Sequence, residues 1–218
     1  MISSSGSEYK ATKLIKRGKA RLSSPFDELA KWIGSEWNVA VLNIVYDQAD
    51  SLHAPRLQVI LEHEEDALKF IDGFNFDKMC QAAIANKFLM LVGSSRERKY
   101  DVSGLFVVFS EFSRIAKEES DSGISDEQVD SHKRRIGNPE LWEISRCFGH
   151  VTFMFYTDKQ ARKSETDGKK KVYASLYFEM LKQHDEFGYL IESEYAVTFD
   201  SKENLDANFG GSWFNYYR

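Results

Sequence analysis

The chain of 218 residues carries 29 basic and 34 acidic side chains, a formal charge of −5, with 42% hydrophobic and 14% aromatic residues. That length and apolar content suffice for a core without disulfides or a structural metal, and three prolines with 13 glycines exclude collagen-like, low-complexity and disordered classes. Mild acidity disfavours a general nucleic-acid binder and a binder of anionic membranes. Cys80 and Cys147 show no framework spacing, no run of 18 apolar residues occurs, and the opening MISSSGSEYK has no apolar stretch. Reduced thiols, no membrane span and a cytoplasmic location are therefore expected.

Residues 1–24 set Lys10, Lys13, Lys16, Arg17, Lys19 and Arg21 against Glu8, which gives +5 and leaves −10 for residues 25–218. The composition predicts a mobile basic arm. Ser24-Pro25 then opens a helix in which Ser24 caps, Phe26, Leu29, Ala30, Ile33 and Trp37 form the packed stripe, and Gly34 can close it. Residues 39–46 are apolar on both faces, as in an interior strand, and Leu57, Val59 and Leu61 alternate as in a partner strand. An antiparallel pair with a floppy tip across Asp47 to Arg56 is expected.

Glu64 to Asp72 reads as a helix capped by Gly73, and Phe76 to Leu91 as a second, with Phe76, Met79, Cys80, Ala83, Ile84 and Phe88 on its inner stripe. Residues 93–104, with Arg96, Arg98 and Lys99, read as a surface loop. From Leu105 the residues Val108, Phe109, Phe112, Ile115 and Ala116 keep helical spacing, although Phe106 to Phe109 also suits a strand; helix is preferred. Ser125-Asp126-Glu127-Gln128 is a capping box for a helix whose basic end, His132 to Arg135, suits its dipole.

Asn138-Pro139-Glu140 repeats the earlier cap, Pro and acid, and predicts a short helix from Leu141 to Phe148 closed by Gly149. A strand from Val151 to Thr157, a charged hairpin tip, and alternating strands over 172–180 and 189–199 come next. His184 to Gly188 reads as a turn, with Gly188 supplying a positive φ. The tail after Phe199 can be laid on Glu62 to Phe76. The expected class is α+β, a mainly antiparallel sheet with helices packed on it, built from a helix-strand-strand-helix unit duplicated as 25–92 and 138–218 around a helical connector, 93–137. Residues 25–218 forming one compact domain fits the same pattern.

Candidate chemistry is sparse. Cys147 and His150 stand three apart, a thiol that an imidazole could activate, but a nucleophile also needs a third, orienting group and a zinc site two more ligands. His63 with Glu65 in the run His63-Glu64-Glu65-Asp66 sits where a strand meets a helix, although acids there also answer the helix dipole. Phosphate-loop, dinucleotide and serine-elbow motifs are absent, and no cofactor or metal is expected. The aromatic tail, with Trp213, Phe214, Tyr216 and Tyr217, and the tyrosines Tyr173 and Tyr177 on an expected strand face are the candidate partner-binding residues, set on an acidic body suited to a basic protein. These features point to a non-catalytic protein-binding module of interaction, inhibitor or immunity type. A small-molecule sensor with its ligand between the two halves is the alternative, and an enzyme using Cys147/His150 or the His63 carboxylate cluster ranks lower.

Overall fold

The computed structural model describes residues 2–49, 54–93, 100–147 and 149–218. Two compact units divide between Ile115 and Ala116. The first holds α1 (Ser7–Lys16), α2 (Phe26–Trp37), β1 (Val41–Ala49), β2 (Ala54–Leu61), α3 (Glu64–Ala67), a small hairpin of β3 (Ile71–Asp72) and β4 (Asn75–Phe76), α4 (Lys78–Gly93) and β5 (Phe106–Glu111). Helix α5 (Phe112–Ser122) crosses the division. The second unit continues with α6 (Asp126–Ile136), β6 (Leu141–Cys147), β7 (His150–Phe155), α7 (Asp158–Thr166), α8 (Lys169–Lys182), β8 (Thr198–Ser201), α9 (Lys202–Phe209) and α10 (Trp213–Tyr216). The α+β class is met; each three-stranded sheet is mixed and the β3–β4 pair is antiparallel.

In each unit a helix leads into an antiparallel hairpin, helices come next, and a third strand returns parallel to the hairpin's second strand. The strand orders are β1-β2-β5 and β6-β7-β8. Both hairpins slip register at the first rung, between Val41 and Asn43 in one and between Leu141 and Glu143 in the other. The central strand is buried on both faces. Leu57, Val59 and Leu61 face a core with Leu29, Ile33, Ile84 and Phe88, while Gln58 and Ile60 are buried on the other side. Val151, Phe153 and Phe155 face Tyr173, Tyr177 and Leu181, with Thr152 and Met154 buried opposite.

The segment expected to be a mobile arm carries α1, with Tyr9 and Thr12 fully buried. Tyr9 stacks on Phe112 at 5.1 Å, and the Asn43 amide donates to Thr12 Oγ1 at 2.9 Å. Two side chains thus anchor an otherwise lysine-rich helix. Ser24 does not cap α2; its hydroxyl donates to Glu28, and the helix ends at Asn38 in the left-handed region, φ 51°, rather than at Gly34. The tip residues 50–53, the loop residues Arg96, Arg98 and Lys99, and Phe148 lie outside the described residues.

Several expected elements take another form. The helix expected from Glu64 shortens to α3 and a 3₁₀ turn, because Leu68 and Ile71 are exposed while Ala67 and Phe70 are buried, and Gly73 turns the β3–β4 hairpin instead. Met79 faces solvent rather than the core. Residues 106–111 are strand, with Val107 and Phe109 inward, and the apparent helical spacing arises only when α5 is counted with them. Leu141 to Cys147 is strand rather than helix: the register slip lets Leu141 and Ile144 share the core face, and a bulge thereby imitates a helical three-residue step. The expected charged tip is α7, opened by a capping box of Thr157 and Gln160. Residues 172–180 lie in α8, where nearly every residue is apolar and alternation carries no information. The burial of Tyr173, Tyr177, Met180 and Leu181 is helical instead. Of the expected strand 189–199 only its end enters β8. The tail follows β8 as α5 follows β5, so it does not correspond to residues 62–76.

Tyr9→Ala should cost about 3 kcal/mol or more in urea unfolding, because it empties a fully buried aromatic site. Acid should destabilise the protein in two windows. His132, 4% exposed, is held down to about 4 by burial and then by Arg135, so its folded pKa lies below its unfolded one. Its contribution is complete above pH ~6.5 and is lost as pH falls towards the folded value. Burial would raise the pKa of Asp185. The Lys182 ammonium and the N–H groups of Leu190 and Tyr189 outweigh it and hold the carboxyl below its ordinary range, so its contribution is lost below pH ~4. Urea midpoints measured against pH should lack the upper step in His132→Leu and the lower step in Asp185→Asn.

Candidate binding cleft

The second unit bears a cleft of about 470 Å³ along β6, walled by the end of α5, the start of α6 and α10. β6 is an edge strand, and all its residues from Trp142 to Cys147 line the cleft. Asp121, Asp126, Asp130 and Glu143 supply carboxylates and Arg146 the facing cation. Residues 116–218 hold 14 basic against 19 acidic side chains, whereas residues 1–115 balance at 15 each. The whole formal charge of the chain thus resides in the unit that carries the cleft.

Arg146 is committed to structure. Its guanidinium donates to the carbonyls of Ile124 at 2.9 Å and Asp121 at 3.3 Å, and to Asp126 Oδ1 at 3.1 Å, tying the α5–α6 turn to the strand. Burial raises the Asp121 pKa, and Arg146 only partly opposes it. Behind this turn the Tyr177 and Tyr195 rings stack at 6.1 Å, and both hydroxyls are buried. Both are pushed upward, mainly by burial and further by the nearby Asp121 charge. These phenols stay neutral.

The aromatic wall comes from packing between distant segments. Trp213 lies parallel to Trp142 at 6.0 Å and to Tyr217 at 5.9 Å. Lys202 sits 5.3 Å from the centre of the Trp142 ring, and Lys133 donates to the Trp142 carbonyl. Two phenols pin the tail: Tyr216 donates to Asp200 Oδ2 at 2.6 Å, and the Tyr217 and Ser145 hydroxyls meet at 2.8 Å. Burial raises the Tyr216 pKa, and the Asp200 carboxylate that accepts its hydrogen bond adds to the shift. Glu143 Oε1 accepts the N–H of Ile144, so with Lys133 it occupies edge groups that another strand would need. The cleft is shaped for side chains rather than for an added strand.

The sequence candidates distribute unevenly. Trp213 lines the cleft; Tyr216 and Tyr217 hold it in place; Phe214, 74% exposed, does neither. Tyr173 and Tyr177 are buried in the core, Tyr173 accepting from the Asn138 amide at 2.9 Å, because their segment is helix and faces inward. They cannot form an exposed partner-binding face. Cys147 lines the cleft and is paired with exposed His150 across the hairpin, with no orienting carboxylate on that imidazole among the described residues. His63 starts α3 in the first unit, its Nε2 3.8 Å from Glu62, and Glu65 is exposed. Among the described residues no group of three or more His, Cys, Asp or Glu is placed to hold a metal ion.

Sequence reasoning misses Trp142, Glu143 and the two aspartates of α6. The i, i+4 spacing of Asp126 and Asp130 beside a capping box is the signal that could have found the aspartates, since it sets both on one helix face. Trp142 gives none, because the bulge that exposes it imitates helical spacing. Among the described residues no helix is long and apolar enough to cross a membrane. Compared with protein-family models, with curated proteins and with solved structures, the chain matches none.

Proposed function

We propose that the protein is a non-catalytic, cytosolic protein-binding module of interaction or inhibitor type, whose second unit receives a cationic side chain of a basic partner. The observation that carries this reading is the cleft that combines Asp130 and Glu143 with the parallel indoles of Trp142 and Trp213. Carboxylates attract a lysine or arginine head, and indole faces take its stem or guanidinium. The nearby cations are already engaged, Arg146 by the α5–α6 turn, Lys133 by the Trp142 carbonyl and Lys202 by Asp206 and one side of the Trp142 ring, which leaves Asp130 and Glu143 in excess. The acidity of the unit adds steering of a basic partner. A second reading, a small cationic ligand, is favoured by the cleft volume, which falls in the range of about 300–1,000 Å³ typical of ligand pockets.

Titration of the full chain with a synthetic arginine- and lysine-rich peptide, read by tryptophan fluorescence, tests both. Binding should weaken steeply with salt. Trp213→Ala should lose about 30-fold in affinity, and Asp130→Asn combined with Glu143→Gln about tenfold. Free arginine binding as tightly as the peptide would favour the small ligand. Affinity unchanged in both variants, or no binding at low salt, would sink the cleft as a cation site.

A further inference from the structure

Helix α4 of the first unit is apolar apart from Lys78, Gln81, Asn86 and Lys87. Cys80, Ile84, Phe88 and Leu91 pack inward. Its outward residues after Lys78 are Met79, Ala82, Asn86, Leu89, Met90 and Gly93, with half-buried Ala83 beside them. They recur at three- and four-residue steps and so form one stripe along four turns with no charge in it. Among the described residues, eleven large apolar side chains are exposed, and six of them, Leu68, Ile71, Phe74, Met79, Leu89 and Met90, belong to α4 or the turn and hairpin that lead into it.

The stripe is complementary to itself when reversed. Asn86 stands at its middle. Counting outward in both directions, Ala83 mirrors Leu89, Ala82 mirrors Met90 and Met79 mirrors Gly93. Two such helices laid antiparallel set a large side chain against a small one at every level, the alternation that lets facing layers interdigitate. The central residue completes the symmetry, because an amide has both a donor and an acceptor and can pair with an identical amide. A single polar residue in an apolar seam fixes register.

We propose that this face seats a second copy of the chain, in an antiparallel pair of α4 helices about a two-fold axis at the level of Asn86, with Ala82 against the partner's Met90. The available area fits. Counted together, the six exposed side chains of α4 and of the segment leading into it present on the order of 700 Å², close to the roughly 800 Å² that each partner gives a standard interface, so the contact takes in Leu68, Ile71 and Phe74 beside the α4 seam. The charge fits as well, since residues 1–115 are neutral overall and two first units meet without net repulsion. A two-fold contact of this kind uses the same patch on both copies and closes on itself.

Sedimentation of the full chain from about 1 to about 100 µM tests the pairing, a range that brackets micromolar affinity. Wild type should pass from monomer to dimer. Ala82→Glu and Met90→Lys should each raise the dimer dissociation constant about 30-fold or more, by placing a charge in the seam. The two together should bring it back to within about tenfold of wild type, because each new carboxylate then faces a new ammonium across the axis. Within one helix these positions are eight residues apart and do not touch, so the rescue reports the contact between copies. Circular dichroism should be unchanged in all three variants, as expected of exposed positions. A chain that stays monomeric at every concentration overturns the proposal, whatever else covers α4. Dimers that tolerate both single changes overturn it too, and so does a double variant that remains monomeric.

Discussion

The third strand of each sheet governs how the rest of its unit is built. By pairing parallel to the second strand of a hairpin, it makes that second strand central and withdraws both its faces from water. A three-stranded sheet in this arrangement needs two covers. The helices between the second and third strands supply one, with Ile84 and Phe88 on the first sheet and Tyr173, Tyr177 and Leu181 on the second. The other face carries polar residues, Asn43, Gln58 and Ser110 in one unit and Ser145, Thr152 and Asp200 in the other. Its cover must therefore satisfy hydrogen bonds as well as exclude water.

Two different segments meet that demand. In the first unit α1 lays Tyr9 and Thr12 on the sheet, and Thr12 receives the Asn43 amide. In the second unit α9 and α10 come after β8 and bring phenols to Asp200 and Ser145. The aromatic tail is thus structural and functional at once. The same folding back that satisfies the sheet sets Trp213 parallel to Trp142 and raises one wall of the cleft. Severing the tail would expose the sheet and dismantle the site together.

Much of the scaffold is legible in the sequence, and the failures share a physical cause. The β1–β2 hairpin, the capping box of α6 and the β7 strand are readable, because each rests on local chemistry: alternation beside a buried face, or a side chain bonded to its own helix end. The segments 141–147 and 172–180 mislead in opposite directions. A bulge gives a strand helical spacing, and a helix buried on most sides gives no spacing at all. The tail's anchoring role is half legible. Its aromatic richness announces burial or contact, but the partners Trp142, Ser145 and Asp200 lie between 16 and 72 residues away in sequence, where no local pattern reaches.

The bulge itself explains why two units of one topology present different surfaces. In each it inserts one residue between two that face the sheet interior, Leu42 in the first and Trp142 in the second. The next residue pairs on the polar face. In the first unit it is Asn43, which α1 buries against Thr12, and the edge strand is closed over. In the second it is Glu143, half-buried, and the tail leaves a cleft in front of it. Covering the polar face from before β1 seals the edge; covering it from after β8 leaves the edge open beside the paired indoles. The acidic cleft and the neutral, apolar α4 face are then separate consequences of the same sheet being covered from different ends.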